Sequence, residues 1–399
     1  MLAGTPPARE ATIVGIGQTA FEKSIDRSEL ALACDAVLAA CDDCGLSVTD
    51  VDGVVRYDVE QTTEWDLIYA LGVPHLNFFA GTPSGGGGVA NTIVLAATAV
   101  ESGLADHVVV YRARKRGRRS AFGSGPLEGG RPWAKVGTRP SGTQQYHHPF
   151  GLASPAQEMA IIARRHMHVY GTKAEHFGLQ AVAQRRHAAT NPAAIMRNPI
   201  TLEDWSAARM IADPIRLVDC SLENDGAVAL VVTTAERATD LRQPGVRVLA
   251  GAMGEHPIHT QLAVFLAETG AYSGRETGGR SIGHRLFGSA GVAPADVDVA
   301  LIFDHFTMAV PLTLEQYGFC GEGEGGPFIE SGATSWPDGR LPVNTHGGSN
   351  GEAFIHGVNH LPEAVRQLRG TAANQVPGCR LAFVNGSITD CSGAVLLAR

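Results

Sequence analysis

The side chains best suited to acid–base chemistry lie in a glycine-rich stretch, residues 343–357. His346, Glu352 and His356 stand among its glycines, and His360 follows where a helical pattern begins. Glycines permit tight turns and let a backbone approach a ligand closely. Because histidine titrates near neutral pH, His346 is the first choice for a general base.

A metal site is the alternative chemistry for this stretch. Glu352, His356 and His360 are spaced i, i+4 and i+8, which could place metal ligands on one helical face. Gly357 interrupts the helix and further ligands are missing, so we predict no metal. His356 is better explained as a substrate contact or as a buried structural histidine. The seven cysteines are scattered and odd in number, which is typical of reduced thiols.

Other histidines are also candidates. His305 follows Asp304 directly after a predicted strand, the place where α/β proteins tend to bind ligands. For Asp304 itself a structural role is favoured, because Asp58 matches it in the other half. His256 comes after the first strand of the second half of the chain. For the run 146–148 (Tyr-His-His), packing and function are equally good explanations.

An earlier glycine-rich turn, residues 81–88, has the same form and leads into a helical pattern. Around the two turns, apolar runs predict strands at 11–17, 51–57, 107–111, 246–251 and 380–384, and a turn with an apolar strand within 219–232. An apolar tail lies at 394–398. Helical patterns cover 28–44, 89–102, 156–170, 173–190, 279–291 and 358–365, with Ser28 as a capping residue. Strands that alternate with helices predict an α/β fold with parallel pairing.

The chain contains an internal repeat. Residues 290–304 parallel residues 44–58 at an offset of 246, and glycine, Asp-Val-Asp and a closing Asp coincide. One duplicated unit explains this order. We therefore divide the chain into an N-terminal half (1–120 and 216–242), an inserted loop domain (121–215) and a C-terminal half (243–399).

Composition excludes several classes of protein. With 399 residues, 44% of them hydrophobic and 18% charged, the chain is globular and has room for a large core. A net charge of −8 argues against general nucleic-acid binding. The sequence shows neither a signal peptide nor an apolar run of about 18 residues, so we expect no membrane span and a cytoplasmic location.

Ordered motifs run nearly the full length of the chain, and together they resemble the thiolase fold in its sterol-carrier-protein-X or lipid-transfer-protein branch. The motifs are Ser-Gly-Leu-Ala-Asp at 102–106, Cys220 with Asn-Asp-Gly-Ala at 224–227, Phe-Asp-His-Phe-Thr at 303–307, 314–320, 344–348 and 351–357. The resemblance implies an α/β, five-layer αβαβα arrangement of two βαβαβ halves, and a homodimer.

Departures from that family concern its catalytic residues. The position of the nucleophilic cysteine falls on Gly86, and no cysteine occurs from 45 to 89. The histidine of the Gly-His-Pro motif falls on Phe354, the family's Asn or His on Phe303, and its last cysteine near Asn385. Without a thiolate, an ordinary thiolase reaction is not expected.

Backbone chemistry survives these changes. In the fold, two amides form an oxyanion hole, and by position they belong to Gly86 and Ser387. A thioester carbonyl held there would be stabilised as it becomes an enolate, by roughly 3–4 kcal/mol per donor. The helix N-terminus beneath Gly86 adds positive potential.

Relatives of this branch that lack the nucleophile work as aldolases on β-hydroxyacyl-CoA thioesters of steroid side-chain breakdown. They release a ketone and a short acyl-CoA. They commonly carry tyrosines where this chain has Phe303 and Phe354, so the base here must be another residue.

The resemblance implies a substrate-binding set, and the predicted members are Phe303, Asp304, Phe354, His356, Gly348, Asn344, Arg114 and Arg116. The two arginines belong to a basic run, 112–119, that could hold a phosphate of coenzyme A; a solvated loop or a dimer contact explains it equally well. No bound cofactor is expected, since coenzyme A arrives with the substrate. The family resemblance also implies a small partner with an OB-fold and a zinc ribbon.

Two alternatives to an aldolase stay open at this point. The first is a non-catalytic acyl-CoA-binding subunit, in which Phe303 and Phe354 mark a lost active site. The second is a biosynthetic acyltransferase or condensing enzyme with another nucleophile, for which Ser84 is the nearby hydroxyl.

Overall fold

The computed structural model describes residues 9–57, 62–82, 88–116, 148–152, 154–254, 278–387 and 392–399. Its centre is a nine-stranded sheet in the order β3-β2-β4-β7-β1-β8-β11-β10-β9. The strands are β1 (Ala11–Gln18), β2 (Gly53–Tyr57), β3 (Phe78–Thr82), β4 (Val108–Arg114), β7 (Gly226–Thr234), β8 (Val246–Gly254), β9 (Val299–Leu301), β10 (Leu381–Asn385) and β11 (Ser392–Ala398). A separate hairpin pairs β5 (Met210–Ala212) with β6 (Ile215–Arg216).

The strand order is the same in both halves of the sheet. From the centre outward, the N-terminal half runs β1, β7, β4, β2, β3, and the C-terminal half runs β8, β11, β10, β9. Next to β9, a single parallel bridge between Ala300 and Val343 takes the place that β3 has in the other half. The mixed α/β architecture with duplicated halves that the sequence predicted is thus present.

Equivalent aspartates account for the repeated Asp-Val-Asp motif. The Asp52 carboxylate accepts hydrogen bonds from the amides of Asp106 and His107 at 2.8–3.0 Å, where β4 begins. The Asp298 carboxylate accepts from the amides of Arg380 and Leu381 at 2.8 and 2.9 Å, just ahead of β10. Each carboxylate thus joins the loop before one strand to the start of its neighbour.

The prediction of parallel pairing is wrong for most of the sheet. β2 pairs in parallel with β3 and β4, and β9 with β10, but the other pairs are antiparallel. In each half the last strand, β7 or β11, runs against its neighbours. The second half begins when the chain, after β7, passes through a short helix into β8, which pairs antiparallel to β1.

Helices cover the sheet, and they are α1 (Glu29–Cys44), α2 (Glu64–Leu71), α3 (Gly88–Glu101), α4 (Pro155–Tyr170), α5 (Ala174–Thr190), α6 (Leu202–Ala207), α7 (Ala235–Ala238), α8 (Gly278–Ala290), α9 (Ala309–Gln316), α10 (Gly325–Glu330), α11 (Gly348–Gly351) and α12 (His360–Arg369). The Ser28 side chain caps α1 by accepting from the amide of Ala31 at 3.1 Å, as predicted. None of the described helices is long and apolar enough to cross a lipid bilayer.

Three apolar clusters define the layers. One cluster joins α3 and α12 to strands of both halves, so these two helices lie in the middle. A second packs α1 and α2 against the other face of the N-terminal strands. The third packs α8, with α4 and α9, against the other face of the C-terminal strands. This gives the predicted αβαβα order. The domain boundaries drawn from the sequence stay a prediction.

Candidate active site

The ends of strands from both halves meet at the start of α3. Phe303 lies just beyond β9, and its amide donates to the side-chain oxygen of Asn385, at the end of β10, at 3.1 Å. The Phe303 ring also lies against Gly357, where an added Cβ would come within 2.5 Å of the ring and 3.2 Å of the Val89 side chain. Only glycine fits there, so the second glycine-rich stretch closes on the N-terminus of α3.

His305 is the buried, unpaired base of this region. It is 8% exposed, and neither ring nitrogen has a hydrogen-bond partner within the described part of the chain. Its ring lies 4.9 Å from the Phe303 ring and 5.0 Å from the Phe306 ring, centre to centre. Burial lowers the pKa of His305 to about 4, against a smaller opposing effect of Asp304. Because an unpaired buried polar group costs about 1–3 kcal/mol, this one points to a ligand that completes it.

Asp304 holds the loop that carries His305, and it does not face a ligand. Its carboxylate accepts from the Ser349 amide at 2.9 and 3.1 Å and from the Gln184 side chain, and lies 3.3 Å from His360 Nε2. Burial alone would raise the pKa of Asp304, but the contacts with His360 and Ser349 outweigh burial and lower it. Asp304 therefore has a positioning role, which is the structural role that its match with Asp58 favours, and the substrate contact that was also predicted for it is wrong.

Asn344 and Gly348 also serve this loop. The buried Asn344 side chain accepts from the Ile302 amide at 2.7 Å and donates to the Ile302 carbonyl at 2.9 Å. At Gly348, which has φ of 64°, a Cβ would lie 2.1 Å from the Asp304 carboxylate. Their predicted substrate contacts are corrected as well, because the Asn344 side chain is buried and bonded to Ile302, and the Asp304 carboxylate occupies the space beside Gly348.

His346, the first choice for the base, is wrongly placed for that role. It is 1% exposed, its Nε2 lies 2.9 Å from His360 Nδ1, and burial lowers its pKa well below the usual value. Glu352 lies 3.7 Å from the same Nε2 and is held by Asn191 and Asn359; burial raises its pKa to about 7. Within the described ranges these groups form a buried polar network behind the His305 loop.

His356 lies on the other side of the two phenylalanines. Phe303 and Phe354 are 6.1 Å apart between ring centres, and the His356 ring is 4.9 Å from that of Phe354. Tyr57 stacks on His356 at 5.5 Å with an interplanar angle of 9°. The backbone of His356 has φ of 49°, a left-handed conformation uncommon for residues other than glycine that is found preferentially at functional sites.

Arg112 and Arg114, the first two arginines of the basic run, belong to strand β4 rather than to a solvated loop. The guanidinium of Arg114 is buried, donates to the carbonyls of Phe354 at 2.6 Å and Leu222 at 3.1 Å, and pairs with Glu223 at 2.9 Å. A phosphate-binding role for Arg114 is thus wrong, because both terminal nitrogens are engaged within the protein and the side chain is only 1% exposed. Arg116 follows β4, is half-buried, and donates its amide to Asp225 at 2.6 Å.

Sequence reasoning missed Arg112 and Tyr57. Arg112 Nε and Nη2 lie 3.3 and 3.0 Å from His356 Nδ1. The repeat could have identified Tyr57, since the offset of 246 places it opposite Phe303. Arg112 could have been found from the apolar residues before it, which extend the strand to Arg114.

Several predicted residues cannot be placed. Gly86, Ser84, His256 and residues 146–147 lie outside the described residues. Ser387 is buried after β10 and its carbonyl accepts from Ser392 Oγ at 2.6 Å. The oxyanion hole made of the Gly86 and Ser387 amides therefore stays a prediction.

The described residues contain no group of three His, Cys, Asp or Glu side chains that could hold a metal ion. His356 contacts Arg112, whereas Glu352 and His360 belong to the buried network. The metal alternative for the glycine-rich stretch therefore has no geometric basis.

Comparison with known proteins gives a consistent picture. Residues 268–397 match the family model described as "Thiolase C-terminal domain-like". The chain is 44% identical, over 97% of its length and 99% of the relative, to the 17-hydroxy-3-oxo-4-pregnene-20-carboxyl-CoA lyase of Mycobacterium tuberculosis. It is 43% identical to the steroid side-chain-cleaving aldolase of Thermomonospora curvata, over 97% of each chain. The solved structure of an "Ltp2-ChsH2(DUF35) aldolase" superposes with a TM-score of 0.88 at 39% identity, covering 98% of this chain and 97% of the other.

Proposed function

Since this chain belongs to the thiolase superfamily, in the branch of the steroid side-chain-cleaving aldolases, we propose that it cleaves a steroid β-hydroxyacyl-CoA at the site around His305. The enzyme is a retro-aldol lyase that acts on a CoA thioester. The proposed substrate has a tertiary hydroxyl on the ring carbon β to the thioester, as the name of the mycobacterial relative describes for its own substrate. Its products are a ring ketone and a short acyl-CoA.

The observation that carries the proposed site is the unpaired imidazole of His305 beside Phe303. A hydroxyl placed against one ring nitrogen would supply the missing hydrogen bond. A pKa of about 4 keeps His305 neutral at physiological pH, so a ring nitrogen has a lone pair to offer the hydroxyl proton. The same low pKa makes its protonated form a strong acid, which suits return of the proton to carbon.

The reaction needs two proton transfers and no net change in protons. His305 removes the proton of the β-hydroxyl, the oxygen forms the ketone, and the bond between the α and β carbons breaks. Its electron pair converts the thioester into an enolate. The imidazolium of His305 then protonates the α carbon, which yields the short acyl-CoA and restores the neutral base.

Two features of the site would favour the enolate. The predicted amides of Gly86 and Ser387 would donate to its oxygen, and each such donor is worth about 10²–10³ in rate where it has been removed in other enzymes. The N-terminus of α3 adds positive potential, since the first amides of a helix have no partner within the helix.

The walls of the site suit an apolar ring system. Phe303 and Phe354 are buried; Phe303 stacks on His305, and Phe354 lies edge to face with His356. The two rings therefore offer apolar surface without a competing hydroxyl. A steroid nucleus bound there would exclude water from the enolate. The half-buried Arg116, at the end of β4, remains our candidate for the phosphates of coenzyme A.

A homodimer fits the exposed edge of the sheet. β3 is an edge strand, and Phe79 on it is 60% exposed. Trp65 and Tyr69 on α2 are also exposed. Pairing of β3 with β3 of a second copy would cover a strand edge that soluble proteins otherwise protect.

We also propose a small partner with an OB-fold and a zinc ribbon, because the similar solved structure is named as an assembly of two components.

Product analysis tests the proposed function. The purified protein, with and without the candidate partner, is incubated with a 17-hydroxysteroid acyl-CoA, and products are identified by mass spectrometry. We expect equimolar 17-ketosteroid and short acyl-CoA. Tight binding without products, or acylation of the protein seen by intact mass, would overturn the proposal. A steroid acyl-CoA without the hydroxyl is the matched control and should remain intact.

A further inference from the structure

The tautomer of His356 is fixed by Arg112. Two donors of the Arg112 guanidinium, Nε and Nη2, point at Nδ1 of His356 at 3.3 and 3.0 Å. A guanidinium has only donors, so Nδ1 must accept. In a neutral imidazole with an accepting Nδ1, the proton is on Nε2, and Nε2 is a donor.

The imidazole of His356 is also held in its neutral state. Burial lowers its pKa well below the usual value, and Arg112, Arg114 and Arg116 lower it further. A second proton would have to bind at Nδ1, directly facing the Arg112 guanidinium. The two effects act together, so the Nε2–H group is a permanent neutral donor.

The ring has one available orientation. Tyr57 stacks on one face at 5.5 Å, and Phe354 lies edge to face at 4.9 Å. Gly357, the next residue, lies against Phe303 and the Val89 side chain near the start of α3. The side chain is half-buried, and the hydrogen bonds that it makes to described residues all involve Nδ1, so Nε2 remains as a fixed donor for a ligand.

We propose that His356 is a catalytic residue, whose Nε2–H donates to the thioester oxygen as that oxygen becomes the enolate. The proposal rests on the proposed function. It adds a second catalytic residue, His356, which lies on the far side of Phe354 from His305. A neutral donor is suited to this step because it stabilises the developing charge without giving up its proton to oxygen. Arg112 is the positioning residue that maintains the donor.

The test compares His356→Ala with His356→Gln, which can retain an N–H donor near the Nε2 position. The readouts are kcat for steroid cleavage and the rate at which the α hydrogens of acetyl-CoA exchange with D2O. The Kd for acetyl-CoA is measured alongside. We expect His356→Ala to lower both rates about 100-fold or more, His356→Gln to stay within about 10-fold of the wild type, and the Kd to stay within about 3-fold.

Nitrogen-15 NMR of the histidines gives a readout that a merely structural role would not move. We expect His356 to be neutral with its proton on Nε2 in the wild type, and a mixture of tautomers in Arg112→Met. A proton on Nδ1, or unchanged cleavage and exchange in His356→Ala, would overturn the proposal.

Failure of the proposed function has a different signature. In that case the wild type would not cleave the steroid substrate, while the exchange of acetyl-CoA hydrogens would still show whether His356 supports an enolate. Exchange that is present in the wild type and lost in His356→Ala would retain the assignment of His356 without the aldolase.

Discussion

The two halves share one framework and differ at the outer edge of the sheet. In the N-terminal half, β3 is a regular strand of five residues, paired with β2 along its length. In the C-terminal half, the corresponding segment keeps a single bridge at Val343 and then turns into the loop with Asn344 and Gly348. In the C-terminal half, the segment that does not form a strand contacts the His305 loop through its backbone and side chains. In the N-terminal half, the intact strand β3 leaves an edge available for pairing.

Equivalent positions also carry different chemistry. By the register of the parallel pairs, Val108 on β4 corresponds to Ala382 on β10, so Arg112 corresponds to Gly386. Tyr57 corresponds to Phe303 through the offset of 246. The N-terminal half therefore supplies cations and a stacking ring, and the C-terminal half supplies histidines and close backbone approach. Duplication has conserved the strands and left their carboxyl ends free to diverge.

The largest effect that we predict on the free energy of unfolding comes from the buried histidines. His187 and His305 have pKa values of about 4, lowered mainly by burial, against 6.5 for the unfolded chain. Their contribution to stability is present above pH 6.5 and is lost as pH falls toward 4, at about 3 kcal/mol for each residue. Glu352, whose pKa is raised to about 7, acts in the opposite direction, because its destabilising charge disappears below that pH.

Urea unfolding at pH 7 and pH 4.5 measures this effect. Between pH 7 and pH 4.5, we expect the free energy of unfolding to fall by about 2–3 kcal/mol less in His305→Gln than in the wild type. His75→Gln, at an exposed position, is the control and should follow the wild type. If acid lowers the free energy of unfolding of His305→Gln as much as that of the wild type, the result would contradict the burial of a neutral His305.

The paired aspartates predict a smaller and symmetric effect. Asp52→Ala and Asp298→Ala each remove a carboxylate that accepts from two backbone amides at equivalent places. We expect each to lower the free energy of unfolding by about 1.5–3 kcal/mol, with kcat of the folded protein unchanged. Unfolding in urea and steady-state kinetics check both statements. Asp26→Ala, an exposed residue, should change neither; a large difference between the two halves would argue against their structural equivalence.

Much of the framework could be predicted from the sequence. Apolar runs and the repeated Asp-Val-Asp motif gave the strands, because burial in a sheet and equivalent loop contacts leave direct traces in the residue order. The antiparallel pairs were missed, since the direction of β7 and β11 depends on how the chain returns and not on their own residues. Pairing with a distant strand leaves no local pattern.

The candidate site was only partly predictable. His305 was among the predicted bases because it follows a strand, but His346 ranked above it, and its burial behind His360 arises from tertiary packing. Arg112 was predicted only as one member of the basic run that could hold a phosphate or lie in a solvated loop, whereas its contact with His356 spans 244 residues of sequence. Contacts of that range cannot be derived from the types and spacing of neighbouring residues.

The most direct test of the central claim, that His305 receives the proton of the substrate hydroxyl, is a crystal structure of His305→Gln with an uncleaved 17-hydroxysteroid acyl-CoA. Loss of the base should slow cleavage by about 10²–10⁴, which is enough to trap the substrate. We predict the hydroxyl within hydrogen-bond distance of the introduced amide and the thioester oxygen at His356 Nε2. A substrate whose hydroxyl faces away from residue 305 would contradict the claim.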